Sequence, residues 1–136
     1  MVNIKSTPVL KVAIAYEGAA AAMCARQISE RLAADLRSEC EAWRLESLVH
    51  PPLRELAVIA ASEADMIIIA TRAGEALPVH VKDWIESWLP RRKGGPAALV
   101  ALFEEGGETL RDSSPLCAYL SRIAERGGMD FFSKRG

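Results

Sequence analysis

Residues 64–90 read ADMIIIATRAGEALPVHVKDWIESWLP, and this stretch decides the fold of the chain. Residues 66–70 are short and wholly apolar, which is typical of a strand buried on both faces of a parallel sheet. A loop containing Gly74 follows, and a helix is predicted after it. The apolar residues of that helix share one face: Val81, Trp84, Ile85, Trp88 and Leu89. Ligands of open α/β sheets bind outside the carboxyl ends of the strands, so the loop marks an expected binding site.

Strand and helix signals alternate along the rest of the chain. Apolar or alternating runs predict four more strands, at residues 9–16, 41–48, 97–103 and 129–132. Helical spacing predicts helices at residues 19–37, 53–62 and 115–126. The first, third and fourth strands are apolar and therefore central, whereas the polar second strand and the short last strand are expected at the edges.

Local signals refine three of these elements. Pro51 and Pro52 begin the helix at 53–62, because proline is tolerated in the first helical turn. The side chains that this helix is expected to bury are Leu53, Leu56, Ala57 and Ala60, with Ala64 as a further candidate. The pair at 127–128, both glycine, is expected to end the last helix. The basic, glycine-rich run at 91–96 is expected to form a surface turn.

The order of elements predicts one domain, residues 1–136, of the α/β class. Short β-α-β connections with right-handed crossovers give a three-layer α/β/α sandwich around a five-stranded parallel sheet. The burial ranking of the strands fits the flavodoxin-like order 2-1-3-4-5.

Composition excludes several classes of protein. The 136 residues carry a net charge of −1 with mixed signs, so no basic stripe for nucleic acid is present. No apolar run is long enough to span a bilayer, and the first residues are not expected to act as a signal peptide. Cys24, Cys40 and Cys117 are widely spaced and odd in number, which predicts reduced, mostly buried cysteines of a cytoplasmic protein.

The stretch also resembles a known family. It carries Ala64-Asp65 before the apolar run, Ala70-Thr71 after it, then Leu77-Pro78 and the VKDW segment at 81–84. These features, with the strand that begins at 95–100 (GPAALV), resemble the NADPH-dependent FMN reductase branch of the flavodoxin-like superfamily. The similarity covers about residues 64–103.

The resemblance implies a flavin oxidoreductase that uses NAD(P)H, with FMN as its cofactor and a homodimer formed through the Trp84/Trp88 helix. It places the flavin ring near the second and third loops and the phosphate near the first loop. The implied cofactor-binding residues are Glu17, Gly18, Ala19, Thr71, Arg72, Ala73, Gly74, Glu104, Glu105, Gly106 and Gly107. No residue is predicted as a catalytic acid, base or nucleophile, because the chemistry would belong to the cofactor.

The loops depart from the family at the phosphate site. The first loop reads YEGAAAA at 16–22, so it offers helix N–H groups but no hydroxyl, and it adds the carboxylate of Glu17. The three loops together contain five glutamates (17, 75, 104, 105 and 108) and two arginines, Arg72 and Arg111. Like charges about 4 Å apart repel by roughly 1 to 4 kcal/mol, so this acidic edge disfavours a phosphate.

Single residues keep two interpretations each. Arg72 is either a flavin or anion contact, or a solvated arginine paired with Glu75 or Glu104. Thr71 either donates its hydroxyl to a ligand or bonds local backbone at the strand end. The helical spacing of Trp84 and Trp88 favours core packing, with a dimer surface as the alternative.

Metal and nucleophile chemistry are not predicted. His50 and His80 are isolated, and a metal site needs three or four converging ligands. Mg²⁺-dependent phosphotransfer would need an acidic pair after the first strand, where Glu17 stands alone. The GxGxxG, GxxxxGK[ST] and GxSxG motifs are absent.

Two functions follow as hypotheses. In the first, the chain is a flavodoxin-like redox protein that binds FMN. In the second, it is a non-catalytic domain of the same ancestry that acts in protein interaction or binds an unidentified small ligand.

Overall fold

The computed structural model describes residues 10–17, 26–27, 30, 38–72, 79–92, 97–104 and 115–135. Its centre is a five-stranded sheet formed by β1 (Leu10–Tyr16), β2 (Ser38–Arg44), β3 (Met66–Arg72), β4 (Ala98–Glu104) and β5 (Asp130–Arg135). The strands lie in the order β2-β1-β3-β4-β5, and each neighbouring pair is parallel. This order confirms the predicted fold class.

Three described α-helices connect the later strands: α1 (Pro51–Glu63), α2 (Val79–Trp88) and α3 (Pro115–Gly127). Short 3-10 helices lie at Leu45–Val49 and Leu89–Arg91. Arg26, Gln27 and Glu30 are helical, in agreement with the helix predicted at 19–37, whose other residues lie outside the described residues.

The two faces of the sheet bury alternate residues of the central strands. On one face, strand residues such as Ala15, Ile69 and Leu99 join buried residues of α1, α2 and α3 in the larger core cluster. On the other face, Ile14 and Ile68 belong to a second, smaller cluster. Both faces of β3 are therefore buried, as the apolar run at 66–70 predicts.

The second strand lies further towards the N-terminus than predicted. The expected strand at 41–48 begins at Ser38 and stops at Arg44, and the chain then forms the 3-10 helix Leu45–Val49. Leu45 and Leu48, three residues apart, turn inward and are buried. The predicted edge position of this strand is confirmed.

The buried face of α1 was predicted only in part, since Ala57 and the C-cap residue Ala64 are buried as expected but the two leucines are not. Leu53 and Leu56 are 39% and 57% exposed, whereas Ala57, Val58 and Ala61 are buried. Residues 56–61 read LAVIAA, so apolar spacing alone selects no face of the helix. Small side chains let a helix approach a sheet closely, which explains why the alanine face is the one that packs.

The last helix follows the prediction closely. It buries Leu116, Leu120, Ile123 and Ala124 and ends at Gly127. Gly128 has φ +68°, a left-handed conformation that favours glycine. Backbone bonds from Gly128 N to Glu125 O (3.2 Å) and from Met129 N to Ala124 O (2.8 Å) complete a Schellman cap. The strand predicted at 129–132 runs instead over β5.

Arg92 lies in the run that was expected to be a surface turn, yet it is half-buried. Its guanidinium donates to the carbonyl oxygens of Ala61 (2.8 Å) and Ala64 (2.9 Å), at the C-terminal end of α1. The last turn of α1 has no basic residue of its own, so Arg92 supplies the positive charge that a helix C-terminus favours. Burial lowers the pKa of Arg92, and the nearby charge of Asp65 opposes that shift.

Replacing Arg92 with alanine is expected to destabilise the fold by about 1 to 3 kcal/mol, because the carbonyl oxygens of Ala61 and Ala64 would lose their charged hydrogen-bond donor. Arg91 provides the matched control. Its Nη1 lies 3.3 Å from Glu55 Oε2 in an exposed ion pair, so Arg91→Ala should cost less than about 1 kcal/mol. Urea unfolding of both variants measures the difference, and equal losses would contradict the role given to Arg92.

Candidate functional site

The candidate site lies at the carboxyl ends of β1 and β3, in the middle of the sheet. The chain leaves β1 towards β2 on one side, and β3 lies on the other side of β1. In sheets of this kind, ligands bind in the crevice where the strand order reverses. Tyr16 pairs with Ala70 at the end of β1, and Arg72 pairs with Glu104 where β3 and β4 end.

Two hydrogen bonds join Glu17 to β3 in this crevice. The backbone N–H of Glu17 donates to the carbonyl oxygen of Ala70 at 2.8 Å. The Thr71 hydroxyl donates to Glu17 Oε1 at 2.6 Å, because a hydroxyl carries the hydrogen that a carboxylate lacks. Backbone and side chain of Glu17 are therefore both held against β3.

The burial of Thr71 explains this bond. Alternation along β3 places Thr71 on the same face as Ile67 and Ile69, and its residue is only 3% exposed. A buried hydroxyl needs a hydrogen-bond partner, and Glu17, the first residue after the neighbouring strand, provides it. The sequence analysis missed this contact, and the signals that could have suggested it are a hydroxyl at the end of a buried strand and a carboxylate just after the adjacent strand.

The pair formed by Thr71 and Glu17 offers a ligand hydrogen-bond acceptors rather than donors. Thr71 has a single O–H, which points to Glu17, and an ionised carboxylate only accepts hydrogen bonds. The Thr71 hydroxyl bonds the side chain of Glu17 rather than the local backbone, and its predicted contact with a ligand stays a prediction. A group that bonds this carboxylate must bring its own hydrogen.

The other predicted cofactor-binding residues divide into two groups. Arg72 and Glu104 end β3 and β4 as cross-strand partners, so their backbones reach the expected edge. The remaining predicted residues lie outside the described residues: Gly18, Ala19, Ala73, Gly74, Glu105, Gly106 and Gly107. The contacts proposed for these residues and for the Arg72 side chain stay predictions.

The motif residues Ala64 and Asp65 lie at the opposite, amino edge of the sheet. Asp65 Oδ2 accepts from the backbone N–H of Lys11 at 3.0 Å, and Asp65 N–H donates to Lys11 O at 2.7 Å. The carbonyl of Asp65 accepts from Ala98 N–H at 3.0 Å. Asp65 therefore ties the starts of three central strands together, which is a structural role.

The tryptophans of α2 belong to the core. Trp84 and Trp88 are 0% exposed, and their rings meet edge to face with centroids 5.9 Å apart. Core packing, the first of the two predicted interpretations, is what these side chains do. The predicted homodimer stays a prediction, and an interface on α2 would have to use residues other than these two indoles.

The histidines and cysteines form no metal site within the described ranges. No group of three or more His, Cys, Asp or Glu side chains converges there. His80 Nε2 lies 2.9 Å from the carbonyl oxygen of Leu45, so this nitrogen carries the hydrogen and helps to hold the 3-10 helix. Cys117 is buried as predicted, but Cys40 is exposed on the edge strand β2, and Cys24 lies outside the described residues.

Comparisons with known proteins support the fold. No protein-family model matches the chain, and no curated protein matches it. Among solved structures, the chain is similar to the solution structure of the two-electron reduced flavodoxin of Megasphaera elsdenii. The TM-score is 0.59 at 18% sequence identity, and the match covers 91% of this chain and 84% of the flavodoxin. The chain therefore has a flavodoxin-like fold.

A separate observation concerns the length and apolar character of the helices. In the part of the chain that the structure describes, no helix has the length and apolar character needed to cross a bilayer.

Replacing Thr71 with valine tests the bond to Glu17. Valine keeps the volume of threonine but removes the donor, so we expect a loss of about 1 to 2 kcal/mol in the free energy of unfolding. Thr71→Ser keeps the hydroxyl and serves as the control, with a smaller loss that reflects one missing methyl group. Urea unfolding compares the two, and a valine variant as stable as the wild type would contradict the assigned bond.

Proposed function

We propose that this protein binds a flavin at the crevice between β1 and β3 and acts as a flavodoxin-like redox protein. The observation that carries the proposal is the reversal of strand order at the carboxyl ends of β1 and β3, where a polar pair, Thr71 and Glu17, ends an otherwise apolar centre of the sheet. The similarity in fold to a flavodoxin supports the proposal of a flavin ligand.

The edge suits a flat ring better than a phosphate. The ends of β3 and β4 lie side by side, so the predicted ring contacts at Arg72 and at 104–107 start from neighbouring strands. Flavin rings and ribityl chains carry N–H and O–H groups that an acceptor such as Glu17 can bind. The phosphate of FMN has no such hydrogen to donate, and its negative charge repels a carboxylate. The described residues therefore fit the ring and ribityl chain but not the phosphate.

The finer form of the proposal is a reductase. The stretch at 64–103 resembles NADPH-dependent FMN reductases, and on this basis the protein would pass electrons from NAD(P)H to a flavin in the cytoplasm. The flavin supplies the one- and two-electron chemistry, and the protein supplies binding and orientation. A homodimer is part of this form of the proposal.

The second candidate function is a non-catalytic domain that binds a partner protein or another small molecule. The observation that favours it is the same hydrogen bond, because the Thr71 hydroxyl donates its hydrogen to Glu17 rather than to a ligand. Flavin binding separates the two candidates.

Titration of the purified protein with riboflavin, FMN and FAD tests the proposal. Binding should quench or shift flavin fluorescence and raise the melting temperature by several degrees, because a ligand at 100 times its Kd stabilises by about 2.7 kcal/mol. Adenosine monophosphate, which has a phosphate but no flavin ring, is the control ligand. No response to any flavin at millimolar concentration would contradict flavin binding and favour the second candidate.

Arg72→Ala locates the binding. Loss of a charged donor to the flavin is expected to weaken binding about 5- to 30-fold, which corresponds to about 1 to 2 kcal/mol. Arg91→Ala removes the same charge from an exposed surface pair and should leave flavin affinity unchanged. Equal affinities for the two variants would place the flavin away from the end of β3.

A further inference from the structure

Glu17 holds a fixed position at the place where a ligand phosphate would be expected. In sheets with this strand order, anionic groups of ligands bind at the turn after the first strand, near the start of the following helix. Glu17 is the first residue after β1, and its backbone N–H is already bonded to Ala70 O at 2.8 Å. Its carboxylate is held at 2.6 Å by Thr71, a residue that is itself 3% exposed.

The bond from Thr71 restricts the carboxylate. Sites that bind phosphate offer N–H or O–H donors and positive charge to its oxygens. Here the buried hydroxyl of Thr71 is directed to Glu17, and the carboxylate has no hydrogen to offer.

A neutral hydroxyl group, unlike a phosphate, can bind favourably to the Glu17 carboxylate. An O–H group that meets an ionised carboxylate forms a short, charge-assisted hydrogen bond. The ribityl chain of a flavin carries such hydroxyls, and it lies between the ring and the position where FMN adds its phosphate. A flavin without the phosphate can therefore donate a hydrogen bond to the Glu17 carboxylate, whereas the same carboxylate would repel the phosphate of FMN.

We propose that this site selects a phosphate-free flavin and binds riboflavin more tightly than FMN, with Glu17 as the residue that sets the preference. The inference rests on the proposed flavin binding and names the ligand of that site. Repulsion between a carboxylate and a phosphate about 4 Å apart corresponds to a preference of about fivefold or more. Thr71 acts as the positioning residue that keeps the carboxylate in the crevice.

The test is the ratio of the dissociation constants of FMN and riboflavin, measured by fluorescence titration. The wild type should give a ratio of about five or more. Glu17→Gln keeps an oxygen for Thr71 and adds an N–H₂ donor, so its ratio should fall to about one or below. Glu17→Asp keeps the charge and should keep riboflavin ahead of FMN.

Glu63→Gln is the matched control. Glu63 ends α1, just before β3 begins, so it lies near the amino edge, roughly 20 Å from the site for a seven-residue strand. It makes the same change in net charge as Glu17→Gln and should leave the ratio at its wild-type value. Circular dichroism and thermal melting confirm that each variant is folded.

Salt gives a measurement that needs no variant. Raising the ionic strength from about 0.01 M to about 1 M shortens the screening length from roughly 30 Å to 3 Å, so FMN should gain affinity relative to riboflavin. Tighter binding of FMN than riboflavin by the wild type, or a ratio unchanged in Glu17→Gln and in salt, would overturn this inference while leaving flavin binding intact. Absence of binding by both flavins would overturn the proposed function and the inference together.

Discussion

Burial of β3 on both faces is the constraint from which the rest of the structure follows. Residues Ile67, Ile68 and Ile69 are 0% exposed, so the strand needs a neighbour on each side and a covering layer on each face. β1 and β4 supply the neighbours, and α1, α2 and α3 cover one face with a core that includes Trp84 and Trp88. The amino end of the strand is fastened by Asp65, and the helix before it is closed by Arg92.

The same constraint creates the chemistry of the carboxyl edge. Because β3 stays buried as far as Thr71, the hydroxyl of this residue cannot rely on water and takes the carboxylate of Glu17 as its partner. The bond serves the fold, since it satisfies a buried donor. It also gives the crevice an acceptor at the position where ligands of such sheets bind, which sets the site apart from one built for phosphate.

Strong, redundant signals made the central architecture predictable from the sequence. The apolar run at 66–70 and the one-sided helix that follows each have one interpretation, and both were confirmed. The second strand and the buried face of α1 were misplaced because their signals are degenerate. Residues 56–61 are apolar on every side, and Leu45 and Leu48 fit either a strand or a tight helical turn.

The site was predictable in location but not in detail. The predicted strand order identified the carboxyl edge, and the departure of the first loop from the resembled family singled out Glu17. The bond between Glu17 and Thr71 joins residues 54 positions apart, and its existence depends on the register of β1 against β3, which no local pattern encodes. Arg92 was missed for the same reason, since its partners are backbone carbonyls of a helix about 30 residues earlier.

The central claim is that the carboxyl ends of β1, β3 and β4 form one ligand site. The most direct test is to record amide chemical shifts of the ¹⁵N-labelled protein during titration with riboflavin. The expected changes are largest at Glu17, Arg72 and Glu104, with little change at Lys11, Asp65 and Ala98 on the opposite edge of the sheet. Changes centred on the amino edge, or no change at either edge, would contradict the claim.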